Sequence, residues 1–108
     1  MNGFEVAFMA PEGRKAHGTP VLDRVIELAK AHGIERYTRR TALDSRGNDH
    51  RYHSAHFFEL NDRPEEVMFV LDPDKADALI EAVTGEAIEL FCVKRPIEYW
   101  QLGDAVPE

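Results

Sequence analysis

The run Glu65-Glu66-Val67-Met68-Phe69-Val70-Leu71-Asp72-Pro73-Asp74-Lys75-Ala76 decides the fold. Its first part is the clearest strand in the chain, a short apolar stretch bounded by turn-forming residues. Asp72 then offers a side chain to cap free helical N–H groups. Pro73 suits the first helical position, where no N–H is needed. Ala76, Leu79, Ile80 and Val83 recur at helical spacing and mark the buried stripe of this helix. Thr84-Gly85 ends it. Residues 87–93 read as the next strand. Pro96 is expected to break that run, and residues 97–102 to add a short edge strand.

A second unit of the same order lies upstream. Phe4, Val6 and Phe8 alternate with Glu5, Ala7 and Met9, the period of a strand. Pro11-Glu12-Gly13 ends it, and residues 14–18 form a polar loop. Thr19-Pro20 reads as a helix start by the same logic of cap plus proline. Leu22, Val25, Ile26 and Ala29 face the core. Lys30 and His32 suit the negative end of that helix, and Gly33 suits a left-handed closing position. Residues 34–43 read as a strand that is weak in hydrophobicity but rich in Tyr and Thr. Asp44-Ser45-Arg46-Gly47-Asn48-Asp49 is loop sequence. Residues 54–60 are strand-like again, until Asn61-Asp62-Arg63-Pro64 interrupts.

The order is thus β-α-β, long loop, β-α-β. Two such units form an α+β, ferredoxin-like βαββαβ sandwich with both helices on one face of an antiparallel sheet. The other face is left bare, and small domains commonly cover such a face by oligomerising. Residues 1–103 read as a single domain and 104–108 as a frayed tail.

Composition narrows the classes of function. The chain has 108 residues, 44 % of them hydrophobic, 31 % charged, and a net charge of -7. An acidic surface of this kind disfavours nucleic acid as a partner. No apolar run is long enough to span a bilayer. The N-terminal residues lack the basic and apolar regions of a signal peptide, which points to the cytoplasm. The single cysteine, Cys92, reads as a buried thiol and not a nucleophile. No Ser/His/Asp or Cys/His arrangement and no phosphate-loop or dinucleotide fingerprint occurs.

Positive charge is gathered in one place. Arg36, Arg39, Arg40, Arg46 and Arg51 are five of the thirteen Lys and Arg. In an acidic chain, such a loop either holds a small anion or carries solvated charge. Arg40 and Arg46 can bind two oxygens of phosphate or bicarbonate at once. Lys94-Arg95 could contact phosphate or serve as strand-edge charge. The backbone N–H groups at Thr84-Gly85 could hold an anion or simply stop a helix. His50, His53 and His56 recur at intervals of three. Neutral imidazoles bind transition metals, but in a strand His53 would point away from the other two.

Three stretches resemble the PII signalling superfamily and its PII-like relatives. Gly18-Thr19-Pro20-Val21-Leu22-Asp23-Arg24-Val25-Ile26-Glu27-Leu28-Ala29-Lys30-Ala31-His32-Gly33-Ile34 is similar to the first helix of the PII-like group. The polar loop stands where that superfamily carries its T-loop. Glu66-Val67-Met68-Phe69-Val70, running into Asp72-Pro73-Asp74-Lys75-Ala76-Asp77, resembles its third strand and second helix. The resemblance covers about residues 4–93 and rests on order and spacing.

That resemblance implies a homotrimer that binds an adenine nucleotide in clefts between subunits and signals through its T-loop. By the same resemblance, Asp44, Ser45 and Arg46 would form the T-loop base, Thr84, Gly85 and Glu86 the B-loop, and Lys94 and Arg95 the basic residues after the fourth strand. The B-loop here lacks the usual glycines and phosphate-binding lysine, and Glu86 would repel a γ-phosphate. ADP or AMP therefore fits better than ATP. One PII-like branch is associated with carboxysomes and bicarbonate transport, which adds bicarbonate as a second ligand and a membrane transporter or carboxysome-associated protein as partner. The protein would not be an enzyme. Two rivals stand beside this reading. One is a metal-binding trimer linked to heavy-metal efflux, using His50, His53 and His56. The other is a small enzyme of ferredoxin-like fold.

Overall fold

The computed structural model describes residues 1–41 and 63–103. Among the described residues, six strands and two helices follow one another: β1 (Asn2–Pro11), β2 (Lys15–Ala16), β3 (Thr19–Pro20), α1 (Val21–Ala31), β4 (Thr38–Thr41), β5 (Pro64–Leu71), α2 (Pro73–Gly85) and β6 (Phe91–Glu98). Strands β4, β5, β1 and β6 lie side by side in that order, each antiparallel to its neighbour. This is the expected ferredoxin-like sheet, with the first strand at the centre.

The central position of β1 explains its sequence. A strand flanked on both sides can be apolar on both faces. Val6, Phe8 and Ala10 join the main core with Val67, Phe69 and Leu71 of β5. Helix α1 adds Val21, Leu22, Val25, Ile26 and Ala29, and α2 adds Ala76, Leu79 and Val83. Phe8 and Phe69 meet edge to face at 6.0 Å. On the opposite face, Ala7 and Met9 pack with Met68, Phe91 and Val93 in a smaller cluster.

The start of α2 follows the expected chemistry. The Asp72 side chain accepts a hydrogen bond from the Lys75 N–H at 2.8 Å, with Pro73 in the first turn. The start of α1 does not. Thr19 and Pro20 form β3, which pairs with β2 (Ala16↔Thr19, Lys15↔Pro20). Pro20 takes the capping position, and no side chain caps the helix. Between the two short strands, His17 and Gly18 both have positive φ, 54° and 82°. That is the backbone of a tight two-residue hairpin turn. Strand pairing therefore claims the threonine that would otherwise cap. The other end of α1 closes as expected: Gly33 is left-handed, and the Ile34 N–H reaches back to the Ala29 carbonyl at 2.9 Å.

Two strands differ from the sequence reading. Of residues 34–43, only β4 at Thr38–Thr41 is strand among the described residues, because Ile34 is buried beneath the closing turn of α1. The last strand begins at Phe91, not at residue 87, and runs through Pro96, which pairs opposite Phe4. An edge strand tolerates a proline because alternate N–H groups face away from the sheet. Consequently residues 97 and 98 end β6 and do not start a separate strand. The strand expected over residues 54–60 and the 104–108 tail lie outside the described residues.

Candidate functional site

The strand registers sort the candidate residues by face. Side chains alternate along a strand, so neighbours in sequence point to opposite sides of a sheet. Arg40 lies opposite Glu66, and Arg95 opposite Glu5. These two pairs sit on the face that the helices leave bare, on either side of the apolar band formed by Ala7, Met9, Met68, Phe91 and Val93. Arg40 donates to Glu66 Oε1 from Nη2 at 2.8 Å and from Nε at 3.1 Å. Arg95 Nη2 pairs with Glu5 Oε1. Both carboxylates are nearly buried, Glu5 at 8 % and Glu66 at 7 % exposure. Three strand spacings, about 14 Å, separate β4 from β6, so Arg40 and Arg95 of one chain do not meet.

Lys94 points the other way. Its ammonium donates to Asp77 of α2 at 3.0 Å and lies 4.2 Å from the centre of the Phe4 ring. The sequence reading joins Lys94 and Arg95 as one basic pair. The pleat separates them, so a single ligand on one face of one chain meets only one of them.

Thr84 and Gly85 offer less than expected. Helix α2 continues through Gly85. The Thr84 hydroxyl donates to the Ile80 carbonyl at 2.7 Å. The Glu86 and Ala87 N–H groups bond back to the Val83 and Thr84 carbonyls. The backbone donors foreseen for an anion are thus spent on finishing the helix.

The residues missed in sequence lie close by. Arg24 of α1 binds Glu86 through two parallel hydrogen bonds, 2.9 and 3.0 Å, and also reaches Glu27 at 3.0 Å. The hydrogen bond from Arg24 holds the Glu86 carboxyl below its ordinary value of 4.5. The charge foreseen to repel a γ-phosphate is already matched. Arg39, on the helix side of β4, bridges Asp23 of α1 (2.7 Å) and Glu65 of β5 (3.2 Å). Its hydrogen bond to Asp23 raises its own pKa further. A cavity of about 250 Å³ opens beside it, lined in part by Glu12, Arg14, Asp23 and Glu65. Arg63 approaches Glu12 at 3.8 Å, and the Glu12 N–H donates to the Arg63 carbonyl at 2.8 Å. The chain on either side of residues 42–62 is therefore tied to the body of the domain by charge pairs. No spacing rule in the sequence marks the Arg24–Glu86 or Arg63–Glu12 pair, because those partners are remote in the chain.

Cys92 is exposed, not buried as its apolar surroundings in sequence suggest, because β6 is an edge strand. Local desolvation nevertheless pushes its thiol up to about 11. Asp44, Ser45, Arg46, His50, His53 and His56 lie outside the described residues. Among the described residues, no group of three or more His, Cys, Asp or Glu is placed to hold a metal ion, and no helix is long and apolar enough to cross a membrane.

The fold is a ferredoxin-like sheet with both helices on one face, and Arg39, Arg40 and Arg63 stand ion-paired where β4 ends and β5 begins. The sequence itself matches the DUF190 family model, described as "Uncharacterized ACR", over residues 6–97, and the chain belongs to that family. Among solved structures, the chain is similar to CPII from Thiomonas intermedia K12, a structure bound to ADP, AMP and acetate. The TM-score is 0.65 at 14 % identity, covering 93 % of this chain and 90 % of that one. It is also similar to a structure from Thermus thermophilus described as a PII-like signalling protein, with a TM-score of 0.58 at 14 % identity, covering 89 % and 87 %. No curated protein matches the chain by sequence.

Proposed function

We propose that this chain is a non-catalytic PII-like regulator. It assembles as a homotrimer and binds ADP or AMP in clefts between subunits, with bicarbonate as a second ligand. It signals through the loop of residues 44–63 to a membrane transporter or a carboxysome-associated protein. The chief support is the root of that loop. Arg39 and Arg40 at one end and Arg63 at the other are held by carboxylates while their own guanidinium groups stay partly exposed. A phosphate arriving at the root can compete for these solvent-facing guanidinium groups and shift the loop.

Kinship supports the choice of ligand. The Thiomonas intermedia structure was solved with ADP, AMP and acetate. Acetate, like bicarbonate, is a planar oxyanion with one negative charge. Preference for ADP or AMP over ATP rests on the missing B-loop lysine, since Arg24 already matches the charge of Glu86. Met68, Phe91 and Val93 on this face are only partly buried in the single chain, which supports assembly, because a trimer that packs its sheets inward would remove them from water.

The test is calorimetric titration with AMP, ADP and ATP, each with and without bicarbonate, on the wild type and on Arg46→Ala and Arg95→Ala. Micromolar binding of ADP or AMP, weakened by both changes, is the expected result. Absence of binding to any nucleotide rejects this function. It would move attention to His50, His53 and His56 and to metal titration.

A further inference from the structure

The two arginines on the bare face are exposed to solvent but already paired. Each already holds a carboxylate of its own chain, directly opposite in the sheet: Arg40 holds Glu66, and Arg95 holds Glu5. An incoming anion must therefore compete with a group that is chemically a tethered acetate. The tether keeps the effective concentration of that group high. An untethered carboxylate or bicarbonate carries the same single charge and has no such advantage. A terminal phosphate carries about −1.5 to −2 at neutral pH and three strong acceptor oxygens, so it has a Coulombic advantage over the resident carboxylate.

We infer that Glu5 and Glu66 set the charge requirement at this face: they hold Arg95 and Arg40 for phosphate-bearing ligands and shut out small monoanions. This rests on the nucleotide-binding function proposed above and deepens it. A second ligand such as bicarbonate must then be bound elsewhere than at Arg40 or Arg95. The two carboxylates are specificity-determining residues that lower affinity for every anion, and for monoanions most of all.

Removing the charge while keeping the shape separates these effects. ADP is titrated into the wild type, Glu66→Gln and Glu5→Gln, in chloride and in acetate at equal ionic strength. Each variant is expected to bind ADP about fivefold more tightly, the scale of one partly exposed ion pair. Acetate is expected to weaken ADP binding to the variants and leave the wild type unchanged. Glu66→Gln combined with Arg40→Ala should lose the gain, which ties it to that arginine. If Glu66→Gln does not fold, Glu5→Gln tests the other pair. Unchanged or weaker ADP binding in the single variants, or acetate competing equally against the wild type, overturns the inference while leaving nucleotide binding intact. If neither wild type nor variants bind ADP, the proposed function fails and this inference fails with it.

Discussion

Arg24 and Glu86, 62 residues apart in sequence, meet through two parallel hydrogen bonds that tie the first turn of α1 to the end of α2. The fork of the guanidinium fits both carboxylate oxygens at once, and lysine could not reproduce this. The pair fixes the relative position of the two helices at the end of the domain where β4 ends and β5 begins.

This contact has a signature in acid. The Glu86 pKa is depressed in the folded chain, so its contribution to stability is fully present above the unfolded value. It is lost as pH falls through the folded value. In Arg24→Gln, the Glu86 carboxyl should titrate higher than in the wild type when followed by carbon NMR. The stability gap between the two proteins should be constant near neutrality and shrink below about pH 4. An unchanged Glu86 titration would show that the pair does not persist in solution.

Cys92 should be slow to react despite its exposure. With the thiol raised to about 11, almost none is thiolate at pH 7. Alkylation by iodoacetamide should accelerate steadily as pH rises beyond the range where an ordinary cysteine, with a pKa of about 8.5, levels off. Lys94→Ala should shift the profile further upward, because the Lys94 charge favours the thiolate. A plateau by pH 9 would contradict the local desolvation.

Gly3 cannot be enlarged without disturbing the sheet. A Cβ there would lie 2.3 Å from the Leu71 carbonyl oxygen and 2.7 Å from Tyr99 Cε1. The first obstacle is backbone and cannot rotate away. Gly3→Ala should cost about 1–3 kcal/mol in urea unfolding, the usual range for overpacking. A neutral result would mean that the strand ends separate easily.

Phe69 is fully buried against Phe8 and is also approached by Tyr37 at 6.2 Å. Phe69→Ala should destabilise the chain by about 3–5 kcal/mol. That is a large part of the ~5–15 kcal/mol that holds a typical domain together. Calorimetric melting would register the loss as a large fall in Tm.

Sequence carried the fold well wherever local chemistry and tertiary packing agree. Asp72-Pro73 caps α2 because nothing else competes for Asp72. Thr19-Pro20 carries the same signal, but its backbone is claimed by pairing with Lys15-Ala16, which local propensity does not reveal. Pro96 misleads for a similar reason. A proline argues against a strand until it is known that the strand lies at an edge. The site is legible in residue type and illegible in arrangement. Arg40 and Arg95 stand on one face of the sheet, but Lys94 is turned away by the pleat. The carboxylates that occupy these arginines come from β1 and β5, and no spacing along the chain announces them.

The place of β1 at the centre of the sheet also governs the order of events as the chain is made. Both of its neighbours, β5 and β6, come from the second half of the sequence. With synthesis at about 5–20 residues per second, β1 stays without its partners for several seconds. During that time Val6, Phe8 and Met9 have no sheet to enter. Such non-local pairing slows folding and leaves apolar segments open to misassociation. The nascent chain thus needs protection at its first strand, and high-temperature expression should send more of it into aggregates than growth in the cold.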